Sequence, residues 1–164
     1  MKDPMKAVWW ARVTLLGAAS ANLAGCGTTL ISHPIERQSD GWTIRLVSMA
    51  EEPTGAGVLT SVTIHKPDDG KRPLYVVLRI RNDGGTRRPF SYDSCDLDLG
   101  SENVRPGVVT NYSGVARHFE ATEPYDAGEE SSRSLTFSYP DGRYPTRLKC
   151  QGITIAFPTL MASR

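Results

Sequence analysis

Leu74-Tyr75-Val76-Val77-Leu78-Arg79-Ile80-Arg81-Asn82 is the stretch that decides the fold. Leu74, Val76, Leu78 and Ile80 fall on one side of an extended chain and Arg79 and Arg81 on the other, the period-two pattern of a strand with one face in a core. The run is rich in β-branched residues, which suit a pleated surface, and its position is predicted to be central in a sheet. Asn82-Asp83-Gly84-Gly85 follows, residues that tolerate positive φ, so the chain is expected to reverse there.

The same alternation recurs on both sides of this run. Trp42, Ile44 and Leu46 share one face of Trp42-Thr43-Ile44-Arg45-Leu46-Val47, with Thr43 and Arg45 on the other. Val58 to Lys66 alternates through Val58, Thr60, Val62 and Ile64 and ends at the turn signal Pro67-Asp68-Asp69-Gly70. Phe90-Ser91-Tyr92 and Cys95-Asp96-Leu97-Asp98-Leu99 read as short strands, and Leu135, Phe137 and Tyr139 face inward from another. Lys149 to Phe157 reads as one closing strand, with Gly152 marking a bulge. Nothing after Gly27 sustains helical spacing for ten residues. The expectation is an all-β chain, an antiparallel β-sandwich of about seven or eight strands.

The strand Leu74 to Asn82 with its Asp83-Gly84-Gly85 turn resembles an element of immunoglobulin-like domains found in many small bacterial envelope lipoproteins and secreted proteins of unknown function. A second element of that pattern is the turn Asp126-Ala127-Gly128-Glu129 leading into Leu135-Thr136-Phe137-Ser138-Tyr139-Pro140. The resemblance covers Trp42 to Phe157 and implies an immunoglobulin-like sandwich over 41–158. Its motifs end strands and permit turns, so they imply no catalytic residue.

The N-terminus points to a location. Lys2, Lys6 and Arg12 precede an apolar run from Val13 to Leu23, too short for the roughly 20 residues that cross a bilayer as a helix and closing on small residues. Leu23-Ala24-Gly25-Cys26 resembles a bacterial lipobox, where a diacylglyceryl group joins the cysteine thiol and the preceding peptide is cut away. The resemblance implies an N-terminal signal helix over 1–25, lipidation with palmitate-type chains at Cys26, and a membrane partner reached through that anchor. Gly27, in place of an aspartate after the cysteine, implies the periplasmic face of the outer membrane. Residues 26–40 are polar and read as a flexible tether, and 159–164 as a C-terminal tail.

Of the 164 residues, 139 follow the signal, enough for one domain with a single core. Formal net charge is +1, so no nucleic-acid footprint stands out. With Cys26 set aside, Cys95 and Cys150 remain of three cysteines, an even pair in a chain expected to reach an oxidising compartment, where a disulfide is predicted.

Constellations for chemistry are thin. Tyr112-Ser113-Gly114 with His118 and Glu120 is a fragment of a hydrolase pattern without a Gly-x-Ser-x-Gly turn. His33, His65 and His118 lie far apart, and no metal or cofactor motif occurs. Asp96 and Asp98 share a strand face, read as a polar outward face before a calcium site. The long connection from Gly100 to Glu130 is the expected partner-binding surface, with Tyr112, Phe119 and Tyr125 as exposed aromatic candidates. The chain therefore reads as a non-enzymatic accessory or protein-interaction module of the envelope with a protein partner. A small-ligand or glycan binding module is the alternative, followed by an envelope hydrolase.

Overall fold

The computed structural model describes residues 30–51, 69–111 and 121–158. Among them eleven strands form: β1 (Ile35–Ser39), β2 (Trp42–Ala50), β3 (Lys71–Asn82), β4 (Arg88–Ser91), β5 (Asp96–Asp98), β6 (Asn103–Val104), β7 (Val108–Asn111), β8 (Thr122–Tyr125), β9 (Glu130–Pro140), β10 (Arg147–Cys150) and β11 (Ile153–Ala156). A 3-10 turn at Tyr92–Ser94 precedes β5. The excess over the expected seven or eight strands comes from pieces of two to five residues, too short to show a period. The signal segment with its helix, Cys26, the strand expected at Val58 to Lys66 and the tail lie outside the described residues.

The long strands pair as their apolar faces require. A five-stranded sheet runs β1-β2-β3-β9-β7, a four-stranded sheet β11-β10-β5-β6, and a two-stranded ribbon β4-β8. If β2, β3, β5, β6, β7, β9, β10 and β11 are lettered A, B, C, C′, D, E, F and G, the orders are A-B-E-D and G-F-C-C′, those of an immunoglobulin-type sandwich. The ribbon is an addition to that plan, drawn from the B–C and D–E connections.

Inner faces fill the space between the sheets. Leu74, Val76, Leu78 and Ile80 of β3 are fully buried, as are Leu135, Phe137 and Tyr139 of β9. They meet Leu97, Leu148, Ile153 and Ile155 from the other sheet. In β2 the register shifts between Leu46 and Ser48. This bulge lets Leu46 and Met49, three residues apart, both be buried.

Three expectations are corrected. The tether expected over 26–40 gives way at Leu30, whose N–H donates to the Met49 carbonyl at 2.7 Å, and Ile31 joins the core. Ile35–Ser39 then forms an edge strand on β2, closed by Asp40 and Gly41, both at positive φ (50° and 74°), as a two-residue hairpin requires. Gly152 marks no bulge. Gln151 and Gly152 both have positive φ (49° and 77°), and the expected single closing strand is a tight hairpin of β10 and β11. At the end of β3 neither Gly84 nor Gly85 adopts positive φ. The chain turns there by another device, the buried side chain of Asn82.

Cys95, just before β5, and Cys150, at the end of its neighbour β10, are a disulfide-compatible buried pair with Cα atoms 4.1 Å apart. They are 55 residues apart in sequence, for which the chain-entropy relation gives about 4 kcal/mol of stabilisation. Purified protein should show the mass of the oxidised pair, two hydrogens lighter than after reduction. The double variant Cys95→Ser, Cys150→Ser should lose about 2–4 kcal/mol in urea unfolding. Free thiols in the native protein contradict the pairing.

Candidate functional site

Asn82 is the last residue of β3, still opposite Trp42 of β2, and its side chain reaches past the strand end. It is fully buried. Its Nδ2 donates to the carbonyls of Thr86 (2.8 Å), Tyr125 (3.0 Å) and Asp126 (3.1 Å), and its Oδ1 accepts from the Gly84 N–H (3.0 Å). The backbone completes the knot: Asn82 N–H donates to Glu129 O, and Gly128 N–H donates to Asn82 O. One side chain thus fastens the bend at 83–87 to the turn at 126–129. Gly84 fits because a Cβ there would lie 3.0 Å from Asn82 Oδ1 and 3.2 Å from Arg88 Cδ.

The β1–β2 hairpin joins the same end of the sandwich through Arg88. Its guanidinium donates to Asp40 O at 2.7 Å and lies 5.2 Å over the Trp42 ring, a cation–π contact. Asp83 is held by the Thr43 hydroxyl, by Arg81 and by Gln38. The Thr43 hydrogen bond above all, aided by Arg81, holds the Asp83 carboxyl below the usual carboxylate range. In the 126–129 turn the Glu129 carboxylate accepts from the Asp126 N–H at 2.7 Å. Thr86, Arg87, Pro89 and Ala127 stand exposed on this framework.

Beneath it lies an aromatic cluster. Trp42 meets Phe90 edge-on at 5.1 Å and Tyr125 at 5.7 Å, and Phe90 meets Tyr92 at 5.1 Å. Tyr125, expected as an exposed anchor, is 1% exposed, so its ring belongs to the core and not to a partner. Its register explains this: Tyr125 pairs with Arg88 in the β4–β8 ribbon, which folds over the end of the sandwich. The Tyr92 hydroxyl donates to Glu123 Oε2 at 2.7 Å and meets the Tyr125 hydroxyl at 3.0 Å. Arg133 grips the same carboxylate with Nε at 2.9 Å and with its terminal nitrogen. Burial pushes both tyrosines above their ordinary range.

Other charges are likewise occupied. Asp98 receives Lys149 at 2.8 Å, Arg147 at 3.0 Å and the Gly100 N–H at 2.7 Å, while Asp96 pairs with Arg105 at 3.7 Å. The Lys149 hydrogen bond, with the Gly100 N–H, lowers the Asp98 carboxyl. The two carboxylates read as a shared face are thus satisfied by cations across the sheet. Among the described residues no group of three His, Cys, Asp or Glu side chains is placed to hold a metal ion, and no helix is long and apolar enough to cross a membrane. Tyr112, Ser113, His118, Phe119 and Glu120 lie outside the described residues.

No protein-family model matches this chain, and no curated protein matches it. Among solved structures it is similar to a functionally unknown protein from Listeria monocytogenes EGD-e, at TM-score 0.45 and 15% identity, covering 72% of this chain and 70% of that one.

The sequence did not point to Asn82 as a hub or to Arg88 on Trp42, because each joins residues distant in the chain, nor to the Glu123–Arg133 pair, which forms between β8 and β9 from residues ten positions apart. Asp40-Gly41 was a readable hairpin signal. Replacing Asn82 by alanine removes the amide shared by the Thr86, Tyr125 and Asp126 carbonyls and should cost about 2–3 kcal/mol in urea unfolding. The lowered carboxyls of Asp83 and Asp98 contribute stability that is present above the ordinary aspartate pKa of about 3.9 and is lost as pH falls toward their folded values. Asp83→Asn should therefore flatten part of the loss of stability seen on acidification below about pH 4. A profile identical to wild type removes Asp83 from that account.

Proposed function

We propose that this chain is a lipid-anchored protein of the cell envelope, a non-enzymatic accessory module that presents the loop end of a β-sandwich to a protein partner. The observation that carries the reading is Leu23-Ala24-Gly25-Cys26, four residues ahead of a body that is folded from Leu30 onward. Two or more acyl chains on one cysteine make attachment effectively permanent, since each buried methylene contributes about 0.8 kcal/mol. A largely polar sandwich then needs no apolar surface of its own to stay at the membrane. Gly27 after the cysteine supports the periplasmic face of the outer membrane.

The display reading draws on the site's geometry. Asp83, Arg88 and Glu129 are spent on holding the 83–87 bend and the 126–129 turn in place, Arg87 pairs with Asp126 at 3.5 Å, and Thr86, Pro89 and Ala127 project from that framework. Tyr112 and Phe119, in the connection between β7 and β8, remain the aromatic contacts of this proposal. A ligand held between the sheets has less support, because Trp42, Phe90, Phe137 and Tyr139 fill the inner positions.

Expressed with its full N-terminus in a diderm bacterium, the wild type should fractionate with membranes and partition into detergent. Its mass should show loss of residues 1–25 and gain of a diacylglyceryl group with acyl chains. Cys26→Ser should appear in the soluble or unprocessed fraction. Membrane attachment and mass unchanged by that substitution overturn the proposal.

A further inference from the structure

We infer that the Cys95–Cys150 pair is a redox latch on the loop end: the surface proposed above for a partner takes its fixed form only after the two thiols have been oxidised. The inference rests on the display reading and adds a condition to it.

The pair lies at the loop end of the second sheet. Asp96 of β5 is opposite Lys149 of β10, so Cys95 and Cys150 come next beyond that ladder. The turn after Cys150 approaches the β1–β2 hairpin, where a Cβ on Gly152 would lie 3.8 Å from Asp40 Oδ2. From the cysteines a chain of contacts leads to the ribbon. Cys95 N–H donates to Tyr92 O at 2.9 Å, Gln151 N–H donates to Ser94 Oγ at 3.1 Å, and that hydroxyl donates to Ser91 O at 2.6 Å. Tyr92 N–H donates to Ala121 O at 2.8 Å, its ring meets Phe90, and its hydroxyl joins Glu123 and Tyr125. Tyr125 O is one of the carbonyls that Asn82 holds.

The covalent link falls where the ladders are thinnest. β5 has three residue pairs with β10 and two with β6, against eleven between β3 and β9. In the ribbon Pro89 stands opposite Pro124, and neither has an N–H to give. Thinly bonded segments open separately from a core that stays folded. Without the link, the turn at Tyr92–Ser94 is released and Tyr92 leaves the underside of the ribbon, while the β3–β9 register persists.

The oxidant is a thiol oxidoreductase in its disulfide form. One cysteine thiolate attacks that disulfide to give a mixed disulfide, and the second displaces the oxidoreductase, which leaves as a dithiol carrying the two electrons and two protons. A reducing compartment keeps the pair open, and an oxidising one closes it. Both sulfurs are buried once joined, so the closed latch is shielded from reductants.

Backbone nitrogen order parameters from NMR relaxation test this on the full processed protein in detergent. The oxidised protein is compared with protein refolded in tris(2-carboxyethyl)phosphine and with the variant Cys95→Ala, Cys150→Ala. In the oxidised form Tyr92, Tyr125 and Gln151 should match Val76 and Leu135 at about 0.85. In the other two forms these three should fall below about 0.6 while Val76 and Leu135 hold their values. Oxidised glutathione added to the reduced protein should restore them, with reduced glutathione as the product. Unchanged order at Tyr92, Tyr125 and Gln151 without the bond overturns the latch. Loss of order at Val76 and Leu135 as well, or refolding only without reductant, also overturns it, because the pair then holds the whole sandwich. Free thiols at these positions in protein taken from envelopes overturn it too. None of these outcomes touches the lipid anchor or the existence of a partner, and a failed Cys26→Ser fractionation leaves the latch standing.

Discussion

The pairing of β3 with β9 is the constraint on which the rest of the sandwich depends. Eleven consecutive residue pairs, from Lys71 with Pro140 to Arg81 with Glu130, fix the register of the two longest strands. A slip of one residue would turn Leu74, Val76, Leu78 and Ile80 out of the core and Arg79 and Arg81 into it. β3 is shielded on its other face as well, with Tyr75 at 7% and Val77 at 8% exposed, as befits a strand with neighbours on both sides. Once that pair is set, β2 closes on one flank and β7 on the other. The edges left over, β1 and β7, are short, and β1 carries Glu36, Arg37 and Gln38, which discourages pairing with other chains.

How much of this was legible in the sequence depended on element length and on where the partner lay. Strands with several alternating apolar residues, such as Leu74 to Ile80 and Leu135 to Tyr139, announced both their existence and their inward face. Ile35–Ser39 has one apolar residue in five, so its pattern looked like linker, and only Asp40-Gly41 hinted at a hairpin. Lys149 to Phe157 looked continuous because Cys150, Ile153 and Ile155 all point inward on either side of the turn. The bulge in β2 was hidden for the opposite reason: strict alternation would bury Ser48, and the chain spends one extra residue to bury Met49. The loop-end contacts were illegible because they join positions some forty residues apart, as Asn82 with Tyr125 and Arg88 with Asp40.

The same distance in sequence explains the misplaced expectation for Tyr125. A tyrosine in a long polar connection reads as a surface ring, but β8 is folded onto β4 across the mouth of the sandwich. Its ring then completes a cluster with Trp42 and Phe90, and its hydroxyl finds Tyr92. Polar atoms in this cluster are all partnered, Glu123 by Arg133 and Tyr92 among them, which is the condition for burying them at modest cost. The exposed residues above are therefore carried by a rigid floor.

The single amide of Asn82 has a consequence for how this surface can vary. Because it holds the carbonyls of Thr86, Tyr125 and Asp126 at once, the two connections it joins share one fixed point. Residues that merely project can be exchanged freely, so chemical character drifts cheaply. Insertions or deletions between Asn82 and Thr86, or between Tyr125 and Glu129, are another matter, since lengthening one segment strands the donors meant for its neighbour. Diversification among descendants of this gene should accordingly proceed by substitution at the tips, with the spacing around the asparagine held constant.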